Sequence, residues 1–319
     1  MTRTKHNGSR PASSKRRNFV AVLISFTAIS FLYFNFDPTP ADADALGVGA
    51  LTAVAPPPPL PSDSLSSSSG GGDASGADRS RMALLLKLLL LEKGHAKLAK
   101  APDYTATAFM QERVRGTMGE EQVVQLKIRH EPFSVYMKWL VGDKGRELLY
   151  VKGRNDGDML VHPGGWKARL VPALKLDPNG SLAMRDARYP VTMIGLLNMV
   201  GEMIKLRKAD LKNHAQVQCT LIDDQKFNER DCYGFVLVFA DRKYSKMYRK
   251  CIIYIDKELS VPTYVRNYEW PGKELKGLTG AKLDEATMVE YYTYSKIRLN
   301  QRMADVDFAK SNKQYQFRR

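Results

Sequence analysis

Between residues 104 and 300, apolar and polar side chains alternate in short runs separated by turn residues, and this pattern constrains the fold more than any other feature of the chain. Val124, Leu126 and Ile128 share one side of a run whose other side is Gln125, Lys127 and Arg129. After Glu131-Pro132 the alternation resumes with Val135, Met137 and Trp139. Asn155-Asp156-Gly157-Asp158 separates residues 147–152 from 159–162, and Pro163-Gly164-Gly165 leads into 166–171. A period of two between close turns predicts antiparallel strands with one buried face. A second set of strands is expected at 216–222, 231–239, 248–256, 261–270 and 287–300.

Two helices interrupt this pattern. Residues 82–91 are strongly apolar and continue through Lys93, His95, Lys97 and Lys100. Ten apolar-rich residues are too few to span a bilayer, which needs about 17–25. Such a helix packs on a sheet, or lies in a membrane interface with Lys87 and the later lysines on the wet side. The second helix is expected from a Thr192 cap to Lys208, with Met193, Leu196, Leu197, Val200, Met203 and Ile204 on one face. The order helix, strands, helix, strands predicts an α+β domain: one large antiparallel sheet with helices on one face.

The first 81 residues have a different composition. Residues 1–17 carry six Lys/Arg and no acid, and residues 19–34 form an apolar run of sixteen. From 34 to 78 there is no Lys or Arg, so charge asymmetry places the basic tail in the cytoplasm and the C-terminal bulk outside. Residues 18–36 fall between the length of a signal-peptide core and that of a spanning helix, which leaves an inner-membrane anchor and a cleaved signal both open. Pro56-Pro57-Pro58-Pro59 and the Ser/Gly run 64–72 mark 37–81 as a disordered linker. The globular domain is thus 82–319. Its location, in the periplasm or exoplasm, excludes most metabolic and gene-regulatory roles, nucleic-acid binding among them.

The net charge is +15, and residues 1–81 hold eight Lys/Arg against six acids, so the excess sits on the domain. It favours anionic partners such as lipid headgroups or acidic polysaccharide. Catalytic and metal motifs are missing from the sequence: no two histidines stand four apart, and there is no G-x-S-x-G, P-loop or G-x-G-x-x-G. His162, beside Gly164-Gly165, is the one histidine at a turn worth testing, and Asp156/Asp158 and Asp223-Asp224 read as solvated turn formers. The reading is non-enzymatic, with no cofactor. Of Cys219, Cys232 and Cys251, the first two flank an expected hairpin turn and form a possible disulfide in an oxidising compartment.

Several stretches resemble the periplasmic lipoprotein carriers of the LolA/LolB type. They are Phe109-Met110-Gln111, Pro132-Phe133 running into Lys138-Trp139, the strand with its Asp156-Gly157 turn, and Tyr294-Ser295-Lys296-Ile297-Arg298-Leu299-Asn300 leading to Asp305 and Asp307-Phe308. The chain more closely resembles a bacterial domain-of-unknown-function family related to that group, through the stretches 130–139, 161–166, 254–258 and 267–271. The resemblance covers roughly 104–317. It implies a half-barrel: a strongly curved antiparallel sheet with helices on its concave face, holding acyl chains in an apolar cavity. Val135, Met137, Trp139, Leu149, Val151, Ile194, Leu197 and Val200 are the expected lining residues, and lipid or lipoprotein acyl chains the expected partner. A tethered scaffold that binds a protein or cell-wall polymer through its outer surface is the alternative, and a solid interior would favour it.

Overall fold

The computed structural model describes residues 73–165 and 171–317. The expected tail (1–17), anchor or signal (18–36) and residues 37–72 of the expected linker lie outside these, as do 166–170 of the strand expected at 166–171. Among the described residues no helix is long and apolar enough to cross a membrane.

The strands are β1 (Asp103–Val114), β2 (Thr117–Met118), β3 (Gln122–Arg129), β4 (Ser134–Val141), β5 (Glu147–Val151), β6 (Met159–His162), β7 (Leu174–Leu176), β8 (Val217–Phe227), β9 (Arg230–Phe239), β10 (Lys250–Asp256), β11 (Pro262–Tyr268) and β12 (Met288–Leu299). They form one sheet in the order β7-β6-β5-β4-β3-β1-β12-β11-β10-β9-β8, with β2 paired to β1. All its pairings are antiparallel. The first and last long strands are neighbours at its centre, and two meanders run outward from them. The chain therefore reaches one edge at β7 and must restart at the opposite edge with β8. Helix α2 (Leu196–Lys212) lies on that crossing, and helix α1 (Asp73–Lys100) packs beside it and against β8. A short helix, α3 (Gly280–Thr287), precedes β12.

Both long helices differ in extent from the sequence expectation. α1 begins at Asp73, so residues 73–81 are helical rather than linker. The Ser80 hydroxyl donates to the Val217 carbonyl at 3.1 Å and accepts from the Cys219 amide at 2.8 Å, a tertiary anchor invisible to composition. α2 begins at Leu196 instead of beside Thr192. Gly195, at φ 112°, turns the chain into it, and the Tyr104 phenol accepts the Leu196 amide at 2.7 Å, doing the work of a cap from another strand.

The apolar stripe of α1 (Leu84, Leu91, Leu98) is fully buried against the sheet. Lys87 falls on the same stripe, so it points inward and not to a wet side. It lies in the field of the α2 pair Arg207–Asp210, whose atoms are 2.7 Å apart, and burial lowers its pKa to about 7. Gly94 lets the helix touch the β10–β11 turn: a Cβ there would sit 1.9 Å from the Ser260 carbonyl oxygen.

The other face of β3–β5 is covered by the C-terminal segment. Tyr315 stacks on Tyr136 with ring centroids 3.9 Å apart, and Phe308 and Phe317 complete a separate apolar cluster. Arg129–Asp305 at 2.7 Å and Lys127–Asp307 at 2.9 Å hold the segment down.

Candidate ligand cleft at the start of α2

Tyr104 opens β1 and is fully buried, so its phenol is a fixed point from which the first turn of α2 hangs. Gly195 fits there only because it has no side chain: a Cβ would lie 3.0 Å from both the Tyr104 oxygen and Ile128 Cδ1. The close approach at Gly195 leaves a cleft of about 350 Å³ between this turn and the ends of β3 and β5. Such a volume is at the low end of ligand sites, about 300–1,000 Å³.

The sheet supplies Ile128, His130, Phe133, Tyr150 and Lys152 to the cleft, and the helix side supplies Thr192, Ile194, Leu197 and Asn198. Phe133 and Tyr150 meet at 6.2 Å, and Tyr104 and His130 at 5.8 Å, so the sheet wall is largely aromatic. His130 donates from Nδ1 to the Ala101 carbonyl at 2.7 Å. Burial holds its pKa below the usual imidazole range, which leaves the ring neutral at pH 7. Asn198 turns its amide to the Ile194 and Thr192 carbonyls and braces the loop before α2. Lys152 is exposed and is the cation among the lining residues. The arrangement offers a trough of mixed polarity, aliphatic and aromatic side chains alternating with His130, Thr192 and Asn198, with a positive rim.

The eight expected lining residues divide into three groups. Ile194 and Leu197 do line the cleft. Val135, Met137, Trp139 and Val200 are buried in the main core, packed under the helices, where α1 and α2 fill the space expected to be a cavity. Leu149 and Val151 are a correction: they belong to the cluster on the opposite face, under Phe308 and Tyr315. The hairpin register explains this. Val135 pairs with Tyr150 and Met137 with Leu148, so the even residues of β5 share a face with the odd residues of β4. Tyr104, His130, Phe133, Tyr150 and Lys152 were missed, although the alternation would have pointed to Tyr150 had the register been known.

The expected Cys219–Cys232 disulfide is also corrected: all three cysteines are free and buried. Cys219 pairs across the strands with Leu237 and sits in the helix-covered core. Cys232 instead approaches the Thr263 hydroxyl at 3.6 Å. The hairpin turns at Asn228-Glu229, so Cys232 lies opposite Gln225 and well along β8 from Cys219, not across from it as the spacing suggested. His162 is buried at the end of β6, away from the cleft.

A second polar constellation lies on the helix-covered face where β1, β12 and β11 meet. Glu112 and Glu290 stand directly opposite each other in the β1–β12 register. Glu290 accepts from Tyr248 at 2.6 Å, Asn267 at 2.6 Å, Tyr189 at 2.9 Å and Arg188 Nε at 3.1 Å. Glu112 accepts from Tyr292 at 2.5 Å and from the Arg188 amide at 2.9 Å, and burial raises its pKa. Arg188 also donates to the Arg113 carbonyl at 2.8 Å. With its carboxylates so fully partnered, this cluster latches the segment before α2 to the sheet.

The family model described as "Protein of unknown function (DUF1571)" matches residues 101–317. The chain belongs to this family. The match begins at the end of α1 and ends at the last residues of the C-terminal segment, so it spans the whole sheet and the cleft. No curated protein matches the chain in sequence. Solved structures to which it is similar include the lipoprotein LppX of Mycobacterium tuberculosis, at 10% identity and TM-score 0.38, covering 69% of this chain and 98% of that one. A putative outer membrane lipoprotein-sorting protein domain from Vibrio parahaemolyticus follows at 14% identity and TM-score 0.33, covering 71% and 97%. A LolA superfamily protein from Nitrosomonas europaea is similar at 13% identity and TM-score 0.27, covering 69% and 96%.

Proposed function

We propose that the domain is a non-catalytic binding module of the cell envelope, a half-barrel of the carrier type, that takes a single acyl chain of a lipid or lipoprotein in the cleft at the start of α2. The observation that carries this reading is the cleft itself: a trough of about 350 Å³ where Ile128, Phe133, Tyr150, Ile194 and Leu197 stand beside the polar His130, Thr192 and Asn198, rimmed by Lys152. Burial of aliphatic carbon contributes about 0.8 kcal/mol per CH₂, so about ten buried carbons contribute about 8 kcal/mol against the entropic cost of association. Lys152 is suited to an anionic head at the rim. The basic start and apolar run of residues 1–34 support placement at the inner membrane with the domain outside.

The test uses the full chain in lipid nanodiscs and a photoactivatable fatty acid, with crosslinks mapped by mass spectrometry. Label concentrated on residues 128–133 and 191–198, and lost in Leu197→Trp, is the expected result. Label that is absent or spread evenly over the domain sinks the proposal. The filled interior under α1 and α2 favours a second reading, a tethered scaffold that binds through its outer surface. Even labelling, with capture of an envelope protein or wall polymer, would support that one.

A further inference from the structure

Two segments at the other end of the sheet form a surface that the cleft does not use. Residues 240–249 link β9 to β10, and residues 271–282 run from beyond β11 into α3. The β1 position level with them is Glu112, through the register Glu112–Glu290–Asn267, whereas the cleft is built on Tyr104 at the start of the same strand. The segments are fastened together. Trp270 Nε1 donates to the Ser245 carbonyl at 2.7 Å, and Arg249 and Lys250 each reach Asp284 of α3 at 2.5 Å.

Their outward side chains are mostly cationic. Arg242, Lys243, Lys246, Lys273, Lys276 and Lys282 are all exposed, against the exposed acids Asp241, Glu274 and, further along α3, Glu285. Among the described residues, none of the six cations lies within 4.0 Å of a carboxylate. Two large apolar side chains stand out among them: Met247 is 50% exposed and Leu278 37% exposed. Tyr244 lies under the Lys243 ammonium at 4.8 Å.

We propose that this paired-loop surface docks the domain on an anionic lipid bilayer, with Met247 and Leu278 entering the headgroup–acyl boundary and the six cations meeting lipid phosphates. Charge complementarity selects an anionic partner, and each Lys or Arg near such a surface contributes about 1 kcal/mol. The apolar pair selects a bilayer over a soluble polyanion. A methionine and a leucine held out among lysines gain from an acyl boundary and gain nothing from a hydrated polymer. Docking by this end leaves the cleft, built at the opposite end of β1, clear of the contact. The inference stands apart from the reading of the cleft.

The test is a local probe, so that the apolar run 19–34 does not dominate the signal. Met247→Cys is labelled with an environment-sensitive dye, since Cys219, Cys232 and Cys251 are buried. The full chain is reconstituted in phosphatidylcholine vesicles with and without phosphatidylglycerol. The expected result is a blue shift and quenching by lipid-borne quenchers only when phosphatidylglycerol is present, reversed by high salt. Adding Lys243→Gln, Lys246→Gln and Lys276→Gln should weaken the contact about a hundredfold, at about fivefold for each lysine. A probe that stays in water on both vesicles, or enters both equally, overturns the proposal. So does a soluble polyphosphate that shifts the dye as far as the anionic vesicles do.

Discussion

Replacing Lys87 by methionine should stabilise this protein, and more so at low pH. The lysine lies in α1, 2% exposed, with its ammonium in the field of Arg207 and Asp210. Burial is the main cause of its low proton affinity, and the like charge of Arg207 adds to it. In the unfolded chain its pKa is near 10.5, and in the folded state about 7. Between those values the unfolded state binds the proton and the folded state does not, so stability rises with pH across that window. Below pH 7 both states are protonated and the charge is buried in full. At about 1.4 kcal/mol per tenfold change in affinity, that gap corresponds to about 5 kcal/mol. Relaxation around a buried ammonium reduces this, and about 2–5 kcal/mol is the expected gain for Lys87→Met at pH 6. Methionine has nearly the same length and fills the same space. Arg207 keeps Asp210 as its partner, so the substitution strands no charge. The assay is urea unfolding of both proteins followed by tryptophan fluorescence at pH 6, 8 and 10. The difference between them should shrink as pH rises from 7 towards 10.5. A variant less stable than the parent at pH 6, or a difference that does not change with pH, refutes the reasoning.

Arg188→Met leaves Glu112 and Glu290 facing each other without their cation, and should cost about 3–5 kcal/mol at pH 7 in the same assay. The Glu112 pKa is already raised in the folded state, so stability falls as pH rises above the carboxylate range, and acidification should recover part of the variant's loss. Gly94→Ala places a methyl on the Ser260 carbonyl and must push α1 off the β10–β11 turn; a Tm lowered by several degrees is expected, and an unchanged Tm would show that the contact is not made. Tyr104→Phe removes the acceptor of the Leu196 amide, with an expected loss of about 1 kcal/mol and faster amide exchange at Leu196, read by hydrogen-exchange mass spectrometry.

The strands were legible because their period is local. The alternating run through Val124, Leu126 and Ile128 is β3 (Gln122–Arg129), and that expected at 159–162 is β6 within the same bounds. The edge strand β7 and the helix α3 were not anticipated, because three residues of strand and eight of helix carry too little pattern. Half of the cleft's helix wall was legible, through Ile194 and Leu197, since their spacing marks an amphipathic turn. Its sheet wall was not, because His130, Phe133 and Lys152 sit where strands end and alternation stops.

By itself, the amino-acid sequence determined an α+β domain with a large antiparallel sheet, an apolar stripe on each long helix, and membership of a family of unknown function. The sheet and the two stripes follow from side-chain periods of two and 3.6, which a chain carries within a few residues, and the family from the match over residues 101–317. The tertiary structure alone decided which face Leu149 and Val151 take, why Cys219 and Cys232 stay apart, and that Lys87 points inward. It also decided that α1 and α2 fill the interior and leave a cleft at Gly195. Each of these depends on register or contact between segments far apart in the chain, and a one-residue shift in pairing reverses the face of every side chain in a strand.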